Sequence, residues 1–356
     1  MGPTRGVILS ADGEGGGAWP LRPLRRELAP VANSPLIALQ VRGLRDAGIR
    51  EIAIASDAAL AGAAREAVDE AALGVDLIHI APPADGGPLG RLLAAESFAG
   101  EAPLVVEFAG SLTQHDLHRS VDLLTRKRLG ALVVVASACS RAPQLTRLTP
   151  ADTQSAPLSG FPEASLAGAN SFVFSCDIFD AARAALEARD GEPLDLTDAV
   201  EVLAETPGRV QAIFPSGWSR RLDGVEDLLE LNRLVLQRIR PEPAHAEFAG
   251  SRVMGPVVID ETSTIESCVL NGPLAIAARA HIADSYVGPY TAIGTGAKID
   301  GAEIERSVVL PEASISPVGF RIEGSVIGAS ARVSRELAPP RALQLWIGQD
   351  AHVSLG

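Results

Sequence analysis

The residues of this 356-residue chain best suited to holding a charged ligand begin with a glycine-rich stretch. Leu9 and Ser10 end a short apolar run, and Ala11, Asp12, Gly13, Glu14, Gly15, Gly16 and Gly17 follow. A loop of this kind, leaving a strand, can turn successive backbone N–H groups toward an anion. An ordinary loop without a ligand is the plainer alternative. Asp12 and Glu14 also add negative charge that an anion would have to tolerate. A second group lies further along. His115 and His118, beside Asp116, would suit a metal cluster, although a polar helix start accounts for them as well. The three cysteines, Cys139, Cys176 and Cys268, are far apart and fit no zinc spacing.

Strands and helices alternate around these residues. Gly6–Ser10 reads as a strand, and residues 34–48 as a helix with Ser34 as N-cap and Pro35 in its first turn. Glu51–Ala55 is the next strand, followed by a helix over 58–72 and a strand at Asp76–Ile80. A helix over 90–98 precedes the apolar strand Leu104–Phe108, and Leu132–Val135 is a further buried strand. This alternation predicts an α/β domain with a mainly parallel sheet covered on both faces.

The pattern changes near residue 240, past Pro241 and Pro243. Val253, Leu270, Val287 and Ile304 are spaced by seventeen, as are Ile259, Ile276, Ile293 and Leu310, and Ile265, Ile282 and Ile299. Neighbours across these groups, such as Val253, Ile259 and Ile265, are six apart. One aliphatic residue at every sixth position predicts a three-sided parallel β-helix over about 248–335. Each coil must stack on the next to bury its inner face. Two domains are expected, 1–240 and 241–356, the second carrying an apolar tail at Leu345-Trp346-Ile347.

Several stretches resemble the long form of the glucose-1-phosphate thymidylyltransferases. They are Leu28-Ala29-Pro30-Val31-Ala32-Asn33-Ser34-Pro35, Asp46 to Ile52, Leu196-Thr197-Asp198-Ala199, Gly224 to Arg233, and Asp284 to Thr291. The resemblance covers nearly the whole chain. It implies a Rossmann-like nucleotidyltransferase domain followed by a left-handed β-helix. In that family a sugar-1-phosphate oxygen attacks the α-phosphorus of a nucleoside triphosphate, and pyrophosphate leaves. A glycine-rich loop cradles the triphosphate, cations neutralise it, and two carboxylates hold magnesium between the reactants.

This chain departs from that pattern where the chemistry is concentrated. The loop that would bind nucleotide spans Leu9, Ser10, Ala11, Asp12, Gly13, Gly15, Gly16 and Gly17, and the family's arginine falls on Gly16 or Gly17. The family's lysine falls on Arg26, which keeps the charge on a larger, forked group. Gly110 stands in the place of the first metal carboxylate. Glu107 lies three residues earlier, so strand alternation points it to the other sheet face, and Asp116 lies six residues later. For the second carboxylate, the gap-free register puts Arg221 in place, beside Arg220, whereas a two-residue slide puts Asp223 there. The gap-free register keeps the flanking segments in phase and is preferred. The family's Glu-Lys-Pro sugar segment has no counterpart near Pro157–Pro162, and the two lysines, Lys127 and Lys298, lie in none of these motifs.

The expected function is therefore a degenerate family member without magnesium-dependent turnover. It would bind a nucleotide or sugar nucleotide, or act as a partner or regulatory subunit, in a deoxysugar or natural-product pathway. Arg26, Arg220 and Arg221 would be the phosphate contacts. No cofactor is expected. An active enzyme with a rearranged Mg2+ site, using Asp223 or Asp116, is the alternative, and a different reaction in the same cleft is the second. The net charge of −13 argues against nucleic acid as a partner. No apolar run has the length of a membrane span, and no signal sequence is evident, so a cytoplasmic protein is expected. The β-helix faces and the apolar tail point to a homo-oligomer or a complex with an active paralogue. Light scattering at micromolar concentration should accordingly return a particle larger than the 37.0 kDa chain.

Overall fold

The computed structural model describes residues 3–10, 19, 21, 24–83, 86–135, 156–157, 169–188, 194–213, 217–240 and 250–335. The strands of the first half are β1 (Arg5–Leu9), β2 (Pro30–Val31), β3 (Ser34–Pro35), β4 (Glu51–Ala55), β5 (Asp76–Ile80), β6 (Leu104–Phe108), β7 (Ser111–Gln114), β8 (Ala131–Val134), β9 (Ala156–Pro157), β10 (Ser171–Phe174), β11 (Val210–Ile213) and β12 (Trp218–Arg221). The helices are α1 (Leu36–Asp46), α2 (Ala58–Glu70), α3 (Gly87–Ala94), α4 (Glu96–Ala99), α5 (Leu117–Lys127), α6 (Asp177–Ala188), α7 (Leu196–Ala204) and α8 (Val225–Leu236). One sheet runs β5-β4-β1-β6-β10-β8-β11-β9. The pairs β5–β4, β4–β1, β1–β6 and β8–β11 are parallel, and β10 enters antiparallel between β6 and β8.

Strand β1 shows why the sheet lies in the middle. Val7 and Leu9 point to one face, where they pack with Val106, Phe172 and residues of α3, α6 and α7. Ile8 points to the other and packs with Val105, Ile52 and residues of α1, α2 and α5. Alternate residues of one strand thus feed two cores, as expected for a sheet covered on both sides.

The helix predicted over 34–48 starts later, at Leu36, and Ser34 does not cap it. Pro30-Val31 instead pairs antiparallel with Ser34-Pro35, forming a hairpin. Its two turn residues, Ala32 (φ 47°) and Asn33 (φ 64°), are both left-handed, the conformation that matches hairpin twist. The turn outcompetes the cap. The helix predicted over 58–72 ends at Glu70 and is capped by Asp57, whose carboxylate accepts from the Leu60 N–H. The helix predicted over 90–98 is two shorter ones, α3 and α4, meeting at Ala95.

From Arg252 to Val333 three five-stranded parallel sheets form the left-handed β-helix. Val253, Leu270, Val287 and Ile304 align in register. Ile259, Ile276 and Ile293 align as well, and so do Ile265, Ile282 and Ile299. Leu310 is a correction: the partner of Ile293 is Val309, because this coil is one residue shorter on that side. The tail at Leu345–Ile347 falls outside the described residues. Among the described residues, no helix is long and apolar enough to cross a membrane.

The middle sheet of the β-helix has small outward residues. Ala275 and Ala292 alternate with the inward Ile276 and Ile293, yet both are buried. The α/β unit covers this face: the Asn33 amide donates to the Ala275 carbonyl, and Val326 packs with Trp19, Leu222 and Leu228. If the inward column carries the stability of the stack, Ile282→Ala should destabilise it by about 2–5 kcal/mol in urea unfolding, and Lys298→Ala, on an exposed outward position, by less than about 0.5 kcal/mol.

Candidate functional site

In sheets of this kind ligands bind beyond the carboxyl ends of the parallel strands. Here the ends of β1 and β6 lie side by side. Leu9 is opposite Phe108, and the Ala109 N–H donates to the Leu9 carbonyl at 2.8 Å. Leu9 and Ser10 are buried, and the Ser10 N–H is used by the Ala55 carbonyl. They end the strand and set the exit of the loop. The other loop positions proposed for nucleotide binding, Ala11, Asp12, Gly13, Gly15, Gly16 and Gly17, lie outside the described residues.

After β6 the chain turns at Gly110, which has φ 80° and open space where a side chain would begin. It then runs into β7, which pairs antiparallel with β12. Arg221 is opposite Ser111, and the Leu222 N–H donates to the Gly110 carbonyl at 2.8 Å. The two positions matched to the family's carboxylates are therefore neighbours across one ribbon. Leu222 is buried, while Arg221 and Asp223 on either side of it are both exposed. Arg221 meets Asp223 at 3.1 Å, and Arg26, on a single 3-10 turn over Arg26–Leu28, meets the same carboxylate oxygen at 3.5 Å. Asp223 is thus held between two guanidiniums.

The structure does not bring the remaining candidates to this point. Arg220 precedes Arg221 and alternates to the other face, where its charge acts on Glu230 of α8. The Glu230 carboxyl is held below its usual range mainly by its hydrogen bond to Arg233, with the charges of Arg220 and Arg306 adding to the effect. Asp116 caps α5 by accepting from the Arg119 N–H at 2.9 Å, the helix-start role. His118 is exposed. His115 is different. Both its ring nitrogens are shut away from solvent without a partner, and burial pulls its pKa down to about 4, so it is neutral at pH 7.

Glu107 points away from the Gly110 turn, as strand alternation requires, and lies buried beneath α1. Burial raises its pKa to about 8, with the Gln40 side-chain hydrogen bond opposing the shift. The Gln40 amide also donates to the Phe108 carbonyl at 2.9 Å. Gln40 was not foreseen from sequence; its signal was one amide on the apolar face of α1, between Ile37 and Val41.

Magnesium fits this arrangement poorly. The two places hold a hydrogen atom and a guanidinium, and the Asp223 carboxylate beside them is paired with both Arg221 and Arg26. Among the described residues no group of three or more histidine, cysteine, aspartate or glutamate side chains is placed to hold a metal ion.

A mainly parallel α/β sheet with this strand-end site, followed by a left-handed β-helix, defines a sugar-nucleotidyltransferase type of protein. No family profile matches the chain. It is 30% identical over 371 residues to the low-salt glycan biosynthesis nucleotidyltransferase Agl11 of Haloferax volcanii, covering 99% of this chain and 100% of that one. It is 27% identical over 350 residues to a glucose-1-phosphate thymidylyltransferase of Streptomyces antibioticus, covering 96% and 98%. A crystal structure from Bacillus anthracis, described as a glucose-1-phosphate thymidylyltransferase in complex with sucrose, shares the fold, with a TM-score of 0.51, 20% identity and coverage of 67% of this chain and 97% of that one. The chain belongs to the family of glucose-1-phosphate thymidylyltransferases and related sugar nucleotidyltransferases.

The two buried titrating groups behind the site make stability depend on pH in opposite senses. Glu107 has a raised folded pKa, so its contribution is complete below its ordinary value of 4.5 and is lost as pH rises through about 8. His115 has a lowered folded pKa, so its contribution is lost as pH falls from 6.5 toward about 4. Between 4.5 and 6.5 the two slopes oppose and cancel, so urea unfolding should show a plateau there, with stability falling toward pH 8 and toward pH 4 by at most about 1.4 kcal/mol per pH unit. Glu107→Gln should remove the fall between 6.5 and 8 and leave stability rising with pH up to about 6.5.

Proposed function

We propose that the chain is a family member that holds a nucleotide or sugar nucleotide through arginine rather than through a metal ion, and does not turn it over in the magnesium-dependent way. The observation carrying this reading is Asp223 paired with both Arg26 and Arg221, beside Gly110. A phosphate arriving there can replace the Asp223 carboxylate on the two guanidiniums, and forked donors suit phosphate oxygens. A divalent cation would meet two positive charges instead. Without the metal, one end of the phosphoryl-transfer transition state loses its charge stabilisation, and each 1.4 kcal/mol lost is about a tenfold loss of rate. The chain would then serve a sugar-nucleotide pathway as a binding, partner or regulatory subunit, as a homo-oligomer or beside an active paralogue.

A second reading has one observation in its favour. The Asp223 side chain is 57% exposed and lies next to the Gly110 turn, so an incoming phosphate that drew off Arg26 and Arg221 would free a carboxylate for magnesium.

No magnesium-dependent pyrophosphate release from thymidine triphosphate and glucose-1-phosphate is expected. Nucleotide binding, followed by calorimetry, should persist in chelator and weaken about tenfold or more with Arg26→Ala or Arg221→Ala. Gly110→Asp with Arg221→Asp should create magnesium affinity before turnover, since open space awaits the new side chain at 110. Robust wild-type turnover that vanishes with chelator and with Asp223→Asn would replace this reading with the second.

A further inference from the structure

Asn232 makes one of the contacts that join the α/β unit to the β-helix. It lies on α8 in the column Leu228, Asn232, Leu236, and is completely buried. Its Oδ1 accepts from the Ala32 N–H at 2.9 Å, and its Nδ2 donates to the Tyr290 carbonyl at 2.9 Å. Those two partners belong to different units. Ala32 is in the hairpin turn, and the chain leads back from it through Ala29, whose N–H donates to the Arg26 carbonyl at 3.0 Å. Tyr290 is a left-handed corner of the β-helix, φ 61°, and its own N–H donates to the Pro273 carbonyl at 2.6 Å. One amide therefore links the segment carrying Arg26 to a β-helix coil. The adjacent Asn33 amide adds a second link, donating to the Ala275 carbonyl at 3.1 Å.

An amide is the side chain this place requires. The Ala32 N–H needs an acceptor and the Tyr290 carbonyl needs a donor, on opposite sides of one buried position. Leucine would match the volume and the helix stripe but supply neither, and unmade buried hydrogen bonds are costly. The polar residue breaks the apolar column because it specifies how two surfaces meet.

We propose that Asn232 is a positioning residue: it fixes the hairpin, and with it Arg26, against the β-helix, so that an anion held at Arg26 and order at the Tyr290 corner are linked. Linkage of this kind is reciprocal, so a ligand at one end must be felt at the other. The ligand half rests on the arginine-based reading given above; the tether itself does not.

Hydrogen exchange by mass spectrometry on the full chain tests it, with thymidine triphosphate in chelator as the probe. The peptides to follow span 28–36 and 286–293. In the wild type the nucleotide should slow exchange in both. Asn232→Leu should speed exchange of the hairpin peptide without ligand and weaken nucleotide binding about tenfold. Asn232→Asp keeps the acceptor for Ala32 but loses the donor to Tyr290. It should keep the hairpin protected, restore most of the affinity and lose the response at 286–293. Leu236→Ala, a loss of buried packing on the same helix outside the cluster that holds the hairpin, controls for general destabilisation. Wild-type exchange in Asn232→Leu overturns the proposal, and so does the same pattern in Leu236→Ala. If the wild type binds no nucleotide, the arginine-based reading fails. The tether is then decided by ligand-free exchange alone: faster hairpin exchange in Asn232→Leu but not in Leu236→Ala upholds it, and unchanged exchange overturns it.

Discussion

The register between Arg5–Leu9 and Leu104–Phe108 is the constraint on which the site depends. It ends both strands together, with Leu9 opposite Phe108, so that the glycine-rich loop and the Gly110 turn leave the sheet from adjacent points. It also sorts side chains between the faces. Ile8 and Glu107 are paired and both turn toward α1, whereas Leu9 and Phe108 turn the other way. A slip of one residue would exchange these sets and place a carboxyl where an aromatic packs. The apolar runs on both strands prevent this, because each face has its own core to fill.

At the site itself backbone pairing holds the ribbon and the charges sit on its surface. The Gly110 carbonyl accepts from Leu222, and β7 pairs with β12 through four residues. Two guanidiniums and one carboxylate gather there. The ion pairs are partly open to solvent, with side-chain exposures of 17% for Arg26, 44% for Arg221 and 57% for Asp223. Exposed pairs of this sort contribute about 0–1 kcal/mol, because water and salt compete for both partners. They are weak enough for a better acceptor to replace Asp223, and a phosphate group offers more charge and more oxygens than a carboxylate.

Much of the fold was legible in the sequence because its signals are periodic. Glu51–Ala55, Asp76–Ile80 and Leu104–Phe108 have the bounds that the alternation of strand and helix segments predicts. The β-helix columns hold until the coil that shortens, where counting seventeen from Ile293 reaches Leu310 but the pairing partner is Val309. A fixed repeat cannot anticipate one missing residue. Ser34 misled because a good N-cap residue beside a helix is also a good hairpin residue, and only the backbone of Ala32 and Asn33 separates the two outcomes. At the site, the residue types at 26, 110, 116, 221 and 223 were legible. Their partners were not, since Arg26 and Asp223 are separated by 197 residues and meet only through the fold. Arg220 and Arg221 were read together, yet strand alternation parts them.

The β-helix shows how one repeat can present three different surfaces. All three inner columns are aliphatic, so the interior does not distinguish one side from another. The outward residues do. Along one sheet Thr264, His281 and Lys298 are exposed and polar. Along another Tyr286, Glu303 and Arg321 form a ladder, with the Arg321 guanidinium 5.3 Å from the Tyr286 ring and 3.1 Å from Glu303. On the third, Ala275 and Ala292 leave room for another surface to come close, and the backbone carbonyl of Ala275 becomes available to Asn33. A long side chain at either alanine would hold the α/β unit away and leave the Asn33 and Asn232 amides short of their acceptors. The choice of face is therefore written in residue size, and the precision of the contact in the two asparagines.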